Sequence, residues 1–78
     1  MDKIVKVYST STCPWCIRTK QFLKENNVAF QDIDVSTNQE ATEEMIQKSG
    51  QMGVPVLDIE GEIIVGFDKE RIKAALGL

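Results

Sequence analysis

Both cysteines of the chain, Cys13 and Cys16, stand two residues apart with Pro14 and Trp15 between them. Two thiols at this spacing can close a small disulfide ring and open it again. An apolar, β-branched run (Ile4-Val5-Lys6-Val7-Tyr8) precedes the pair, and a helical pattern beginning at Pro14 follows it. A Cys-x-x-Cys between a strand and a helix reads as a dithiol redox centre. A cysteine just before a helix faces free backbone N–H groups and the positive end of the macrodipole, which favour thiolate over thiol. Pro14 suits the first helical position, where a missing N–H has no partner to lose. Cys13, nearer the helix start, is expected to be the nucleophile, and Cys16, one turn inward, the resolving thiol. The chain has no histidine, which excludes a Cys–His nucleophilic pair. Thiol–disulfide exchange needs none, because its attacking and leaving groups are both thiolates. A zinc site requires four N or S ligands. This chain offers two, so no metal is expected, a subunit-bridging ion being the open alternative.

The elements that must position this pair follow from periodicity and caps. A near-continuously apolar strand is expected over residues 3–8, as for a buried central strand. A helix is expected over 14–26, with Cys16, Thr19, Leu23 and Phe22 on its inner stripe and Asn26-Asn27 ending it. A second strand covers 29–35, with Phe30, Ile33 and Val35 as core candidates. Thr37 and Glu40 form a capping box for a helix over 39–49 that stops at Gly50. Its short apolar face (Ala41, Met45, Ile46) predicts loose packing at an edge. Strands over 55–59 and 62–65 are joined by the two-residue turn Glu60-Gly61. Asp68 caps a last helix over 69–76, whose Ile72, Ala75 and Leu76 share one side before Gly77.

The order β-α-β-α-β-β-α predicts an α/β fold, a four-stranded mixed sheet with three helices. Strands joined through a helix are expected to be parallel, and hairpin strands antiparallel. The ligand crevice of such a sheet lies beyond the carboxyl ends of its parallel strands. Three stretches are expected to meet there: Cys13 to Cys16, Met52-Gly53-Val54-Pro55 and Gly66-Phe67-Asp68.

A chain of 78 residues is expected to form one domain over 1–78, burying only about 60% of its unfolded surface. No apolar run approaches the ~20 residues that cross a bilayer, and no signal-peptide pattern is present. The expectation is a cytoplasmic, monomeric protein in a reducing compartment, where a structural disulfide is out of place. A net charge of −3 argues against nucleic acid as a partner. The charge is unevenly spread: residues 1–30 carry +3, residues 31–66 carry −7 with Lys48 their only cation, and the remainder carries +1. The cysteines lie in the basic part. Arg18 and Lys20, on the helix that Cys13 caps, are expected to stabilise its thiolate, whereas Lys3, Lys6 and Lys24 read as surface charge.

Taken together, Tyr8-x4-Cys13-Pro14-Trp15-Cys16, Gly53-Val54-Pro55 and Val65-Gly66-Phe67-Asp68 resemble a glutaredoxin of the thioredoxin fold, over essentially the whole chain. The resemblance implies a cis peptide at Val54-Pro55 facing the disulfide. It implies a Val54 backbone that takes up an extended thiol substrate like an added strand. It also implies contacts from Trp15, Pro55, Gly66, Phe67 and Asp68, glutathione as co-substrate with no tightly bound cofactor, and disulfide-bearing client proteins. Two positions depart from the family's pattern. Thr10 stands where many members carry a lysine for a glutathione carboxylate, and Lys69 stands where a second acid is common. Arg18, Lys20 and Gln51 are candidates to replace the first contact. The Gly66-Phe67 pair and the short length also resemble NrdH-type redoxins, which are reduced by the flavin-dependent thioredoxin reductase. A dimer holding an iron–sulfur cluster through Cys13 and glutathione is the competing reading.

Overall fold

The computed structural model describes residues 4–78. The expected first strand begins at Lys3, outside the described residues; the strand itself is β1, Val5–Ser9. It is followed by α1 (Pro14–Glu25), β2 (Gln31–Asp34), α2 (Gln39–Ser49), β3 (Val56–Ile59), β4 (Glu62–Val65) and α3 (Lys69–Leu76). The four strands form one mixed sheet in the order β2-β1-β3-β4.

Local rules account for most boundaries. Cys13 caps α1 with Pro14 at its first position. Asn27, at φ 58°, carries the left-handed residue that ends the helix. Glu60 (φ 53°) and Gly61 (φ 92°) are both left-handed, as a tight hairpin turn between right-twisted strands requires. Asp58 Oδ1 accepts the Gly61 N–H at 2.9 Å. Asp68 caps α3 by accepting from the Arg71 N–H at 3.2 Å.

Two local expectations need correction. The cap of α2 is Asn38, whose side chain accepts from the Ala41 N–H at 3.1 Å. Asn is at least as good a cap as Thr, so the box at Thr37 and Glu40 gives way. β2 is shorter than expected and lies at the sheet edge, where it has one neighbour. Phe30, Ile33 and Val35 are therefore half-buried rather than core.

The two faces of the sheet are filled differently. Period-2 alternation sends Val5, Val7, Leu57, Ile59 and Ile64 to one side, where Leu23 of α1 and Ile72 of α3 cover them. Tyr8 and Val56 point to the other side, where Met45 of α2 covers them. Met45 is only 1% exposed, so α2 seals the middle of its face instead of resting loosely at an edge.

The direction of β3 departs from expectation, and the difference decides the site. β1 and β2 are parallel, with Ser9 opposite Asp34, but β3 runs antiparallel to β1, with Tyr8 opposite Val56. The end of β2 and the start of β3 therefore lie at the same end of the sheet. α2 contacts both β1 and β4, so it lies across the strands and the 50–55 loop returns the chain to the end it left. The parallel rule presumes a helix that carries the chain to the opposite end. β4 is antiparallel to β3, with Val65 opposite Val56, so Gly66 emerges at that end too.

Candidate active site

All three stretches thus converge beyond the end of β1 that leads to Cys13. The Cys13 backbone is extended (φ −89°, ψ 114°), and its carbonyl accepts the first helical bond from Ile17 N–H at 3.2 Å. Its sulfur accepts the Cys16 N–H at 3.4 Å, and its thiol donates to the Val54 carbonyl at 3.9 Å. Both cysteines are free thiols; Cys13 is partly exposed and Cys16 is fully buried. Burial opposes the Cys13 thiolate, but hydrogen bonds from the Cys16 thiol and from the Cys16 and Trp15 N–H groups, with the Lys20 ammonium, outweigh it. Cys13 is therefore held below the ordinary thiol range. Burial pushes Cys16 up to about 11, reinforced by its hydrogen bond to Cys13 and by that neighbour's charge. The pair thus sets a partly exposed sulfur whose ionisation is favoured beside a buried thiol that stays protonated at neutral pH.

Beside Cys13, Trp15, Val54, Pro55, Gly66 and Phe67 line a groove of about 270 Å³. The Val54–Pro55 peptide is cis. Among the described residues the Val54 N–H has no hydrogen-bond partner. Gly66, at φ 82°, donates its N–H to the Pro55 carbonyl at 2.8 Å, which fixes the groove's floor. Trp15 is 54% exposed, and its ring lies 6.4 Å from that of Phe67.

The glutaredoxin family model matches this chain over residues 5–64. The chain belongs to the glutaredoxin family. An uncharacterized glutaredoxin-like protein from the rubredoxin operon of Clostridium pasteurianum is 51% identical over 69 residues, covering 88% of this chain and 92% of that protein. Glutaredoxin 3 of Escherichia coli is 39% identical over 64 residues, covering 82% and 77%. The crystal structure of a glutaredoxin from Archaeoglobus fulgidus superposes with a TM-score of 0.85 at 32% identity, covering 91% and 83%. The sheet and its three helices are thus thioredoxin-like, and this glutaredoxin-family chain is a thiol–disulfide oxidoreductase.

Within this glutaredoxin site, three expected residues stand elsewhere. Asp68 does not line the groove, because its carboxylate is turned to the α3 cap. Arg18 lies over the Trp15 ring, 4.9 Å from its centroid. Gln51 folds onto Gly53, accepting its N–H and donating to its carbonyl at 3.0 Å. Lys20 does act on both thiols. It is held by one carboxylate oxygen of Asp32 at 3.0 Å, and the other accepts a hydrogen bond from the buried Ser9 hydroxyl at 2.8 Å.

One cluster behind the site escaped the sequence reading of this glutaredoxin chain. Lys48 Nζ reaches Asp58 at 2.6 Å, Glu44 at 2.9 Å and the Tyr8 hydroxyl at 3.0 Å, tying α2 to β1 and β3. Tyr8 in turn donates to Glu44 at 2.9 Å. The available signal was that Lys48 is the one cation among eight acids between residues 31 and 66. Among the described residues no group of three or more cysteines or acids could hold a metal, and no helix is long and apolar enough to cross a membrane.

Proposed function

We propose that the chain reduces disulfides by a two-thiol route, with Cys13 as nucleophile and Cys16 as resolving thiol. The Cys13 thiolate attacks one client sulfur, forming a mixed disulfide and releasing the other client sulfur as a thiolate. Cys16 then loses its proton and attacks Cys13, releasing the second client thiol and leaving a Cys13–Cys16 disulfide. Two electrons have passed to the client. The observation that carries this reading is the opposed pair of thiols, Cys13 lowered at the helix start and Cys16 raised by burial one turn on. Trp15, Val54, Pro55, Gly66 and Phe67 hold the client segment, with the Val54 N–H and carbonyl taking up its backbone as an added strand. Cys13→Ser should abolish turnover and Cys16→Ser should accumulate the mixed disulfide; full dithiol activity in Cys13→Ser refutes the route.

Glutathione is the co-substrate that family membership favours, as donor and as a component of mixed disulfides. A second donor, a flavin-dependent disulfide reductase as used by NrdH-type redoxins, is favoured by one observation. Lys69 sits at the groove's Phe67 wall, with its ammonium 5.9 Å from that ring centroid. A cation there repels the ammonium of a γ-glutamyl group. Loss of a charge-assisted contact costs about 1.5–3 kcal/mol, or roughly ten- to a hundredfold in affinity. Glutathione turnover is expected to be weak and to improve with Thr10→Lys and with Lys69→Asp. Running one disulfide reduction with glutathione and glutathione reductase, then with thioredoxin reductase, separates the donors. Strong glutathione turnover unaffected by either substitution refutes the role given to those positions.

A further inference from the structure

Phe67 also walls a second hollow of about 290 Å³, lined with it by Arg18, Gln21, Phe22, Glu25 and Lys69. We infer that this hollow binds an acidic side chain of the client protein, carried on the extended segment whose cysteine meets Cys13. The inference rests on the dithiol reading above and names the class of client that reading leaves open.

Charge complementarity argues for the occupant. Arg18 and Lys69 both line the hollow, yet among the described residues the ion pairs belong to Lys6, Lys20 and Lys48. The Arg18 guanidinium rests on Trp15 at 4.9 Å, and the Lys69 ammonium stands 5.9 Å from both the Phe22 and Phe67 centroids. Ring faces hold these cations in place without neutralising them. The single acid of the hollow, Glu25, is engaged by Gln21, whose side-chain amide donates to it at 3.2 Å. Two cations outside the ion pairs face the single acid Glu25, so an incoming carboxylate finds a net positive charge.

Geometry argues for an extended segment. The rings form a continuous track, Trp15 to Phe67 at 6.4 Å and Phe67 to Phe22 at 5.8 Å, with Phe67 as the wall shared by groove and hollow. An extended chain advances about 3.3 Å per residue, so the ring track from Trp15 through Phe67 to Phe22 accommodates roughly three to four client residues. The Val54 N–H, unpartnered among the described residues, offers the main-chain bond that starts such a strand. A free ammonium beside the acid would be repelled, so an internal acidic residue fits better than a γ-glutamyl end.

The test uses end-blocked peptides joined by a disulfide to 2-mercaptoethanol, alike except for Glu, Gln or Lys three residues from the cysteine on either side. The wild-type protein should show kcat/KM in the order Glu, Gln, Lys, with roughly five- to thirtyfold between the extremes, narrowing as salt rises. Arg18→Gln and Lys69→Gln should each shrink the ratio, and Lys69→Glu should invert it. Ratios within one variant are unaffected by how much active protein it yields. Equal rates on all three peptides, or a Glu preference that survives Lys69→Glu, overturn the inference while leaving the dithiol route standing. Loss of the Glu preference on adding S-methylglutathione also overturns it, because the hollow would then take glutathione's own carboxylate. Failure to reduce any peptide with any donor overturns the inference together with the dithiol route.

Discussion

Replacing Cys13 isolates what sets the reactivity of Cys16. In the reduced pair burial pushes Cys16 up to about 11, with a hydrogen bond to Cys13 and that sulfur's charge adding to the rise. A thiol titrating at about 11 is ionised in roughly one molecule per thousand at pH 8, since each unit is tenfold. Once Cys13 is captured in a mixed disulfide its charge is gone and only burial still opposes ionisation. Each unit that Cys16 then recovers multiplies its thiolate form tenfold, which the proposed dithiol route would use in its second step. Cys13→Ser imitates the loss of charge, and Cys13→Asp keeps a negative charge at the helix cap. The Cys16 midpoint, followed by alkylation against pH with the modified residue identified by mass spectrometry, should fall below its native value in the serine variant. It should stay near that value in the aspartate variant. An unchanged midpoint in Cys13→Ser would show that burial alone sets Cys16 and would refute the coupling.

The other predictions concern the groups behind the pair. Lys48→Met should destabilise the fold by about 2 kcal/mol in urea unfolding; a fully buried broken pair costs about 3–5 kcal/mol, and partial exposure reduces it. Lys48 is 27% and Asp58 13% exposed at the side chain, so a change under about 0.5 kcal/mol, the level of an exposed pair, would contradict the cluster's role. Burial tends to raise Asp58, but Lys48 and the Gly61 N–H outweigh it and hold the carboxyl below its ordinary 3.8; Lys48 first, then Tyr8, hold Glu44 below its ordinary 4.5. Their stabilisation is complete above those ordinary values and is lost as pH falls through the depressed folded ones. The urea midpoint should therefore drop in strong acid, and less steeply in Lys48→Met. Lys20→Met should raise the Cys13 midpoint and Asp32→Asn lower it, read by alkylation against pH; equal shifts of the same sign would break the link from Asp32 through Lys20 to the thiols.

What the sequence determined alone was whatever depends on a few adjacent residues. The Cys13 cap with Pro14, the left-handed turn at Glu60 and Gly61, the Asp68 cap and the Cys16-Thr19-Leu23 stripe are all satisfied within one or two helical turns. The same is true of the bond from the Cys16 N–H to the Cys13 sulfur, since a helix start acts on the residue beside it. Tertiary structure decided what depends on partners far along the chain. The antiparallel course of β3, set by α2 lying across the sheet, carried Val54, Pro55, Gly66 and Phe67 to Cys13. Arg18 and Lys20 are two residues apart on one helix and looked equivalent. Facing opposite neighbours, one stacks on Trp15 while the other reaches Asp32 of β2 and the thiols. Lys48 found Tyr8 forty residues away, a pairing that no local periodicity encodes, because it exists only once two strands and a helix have met.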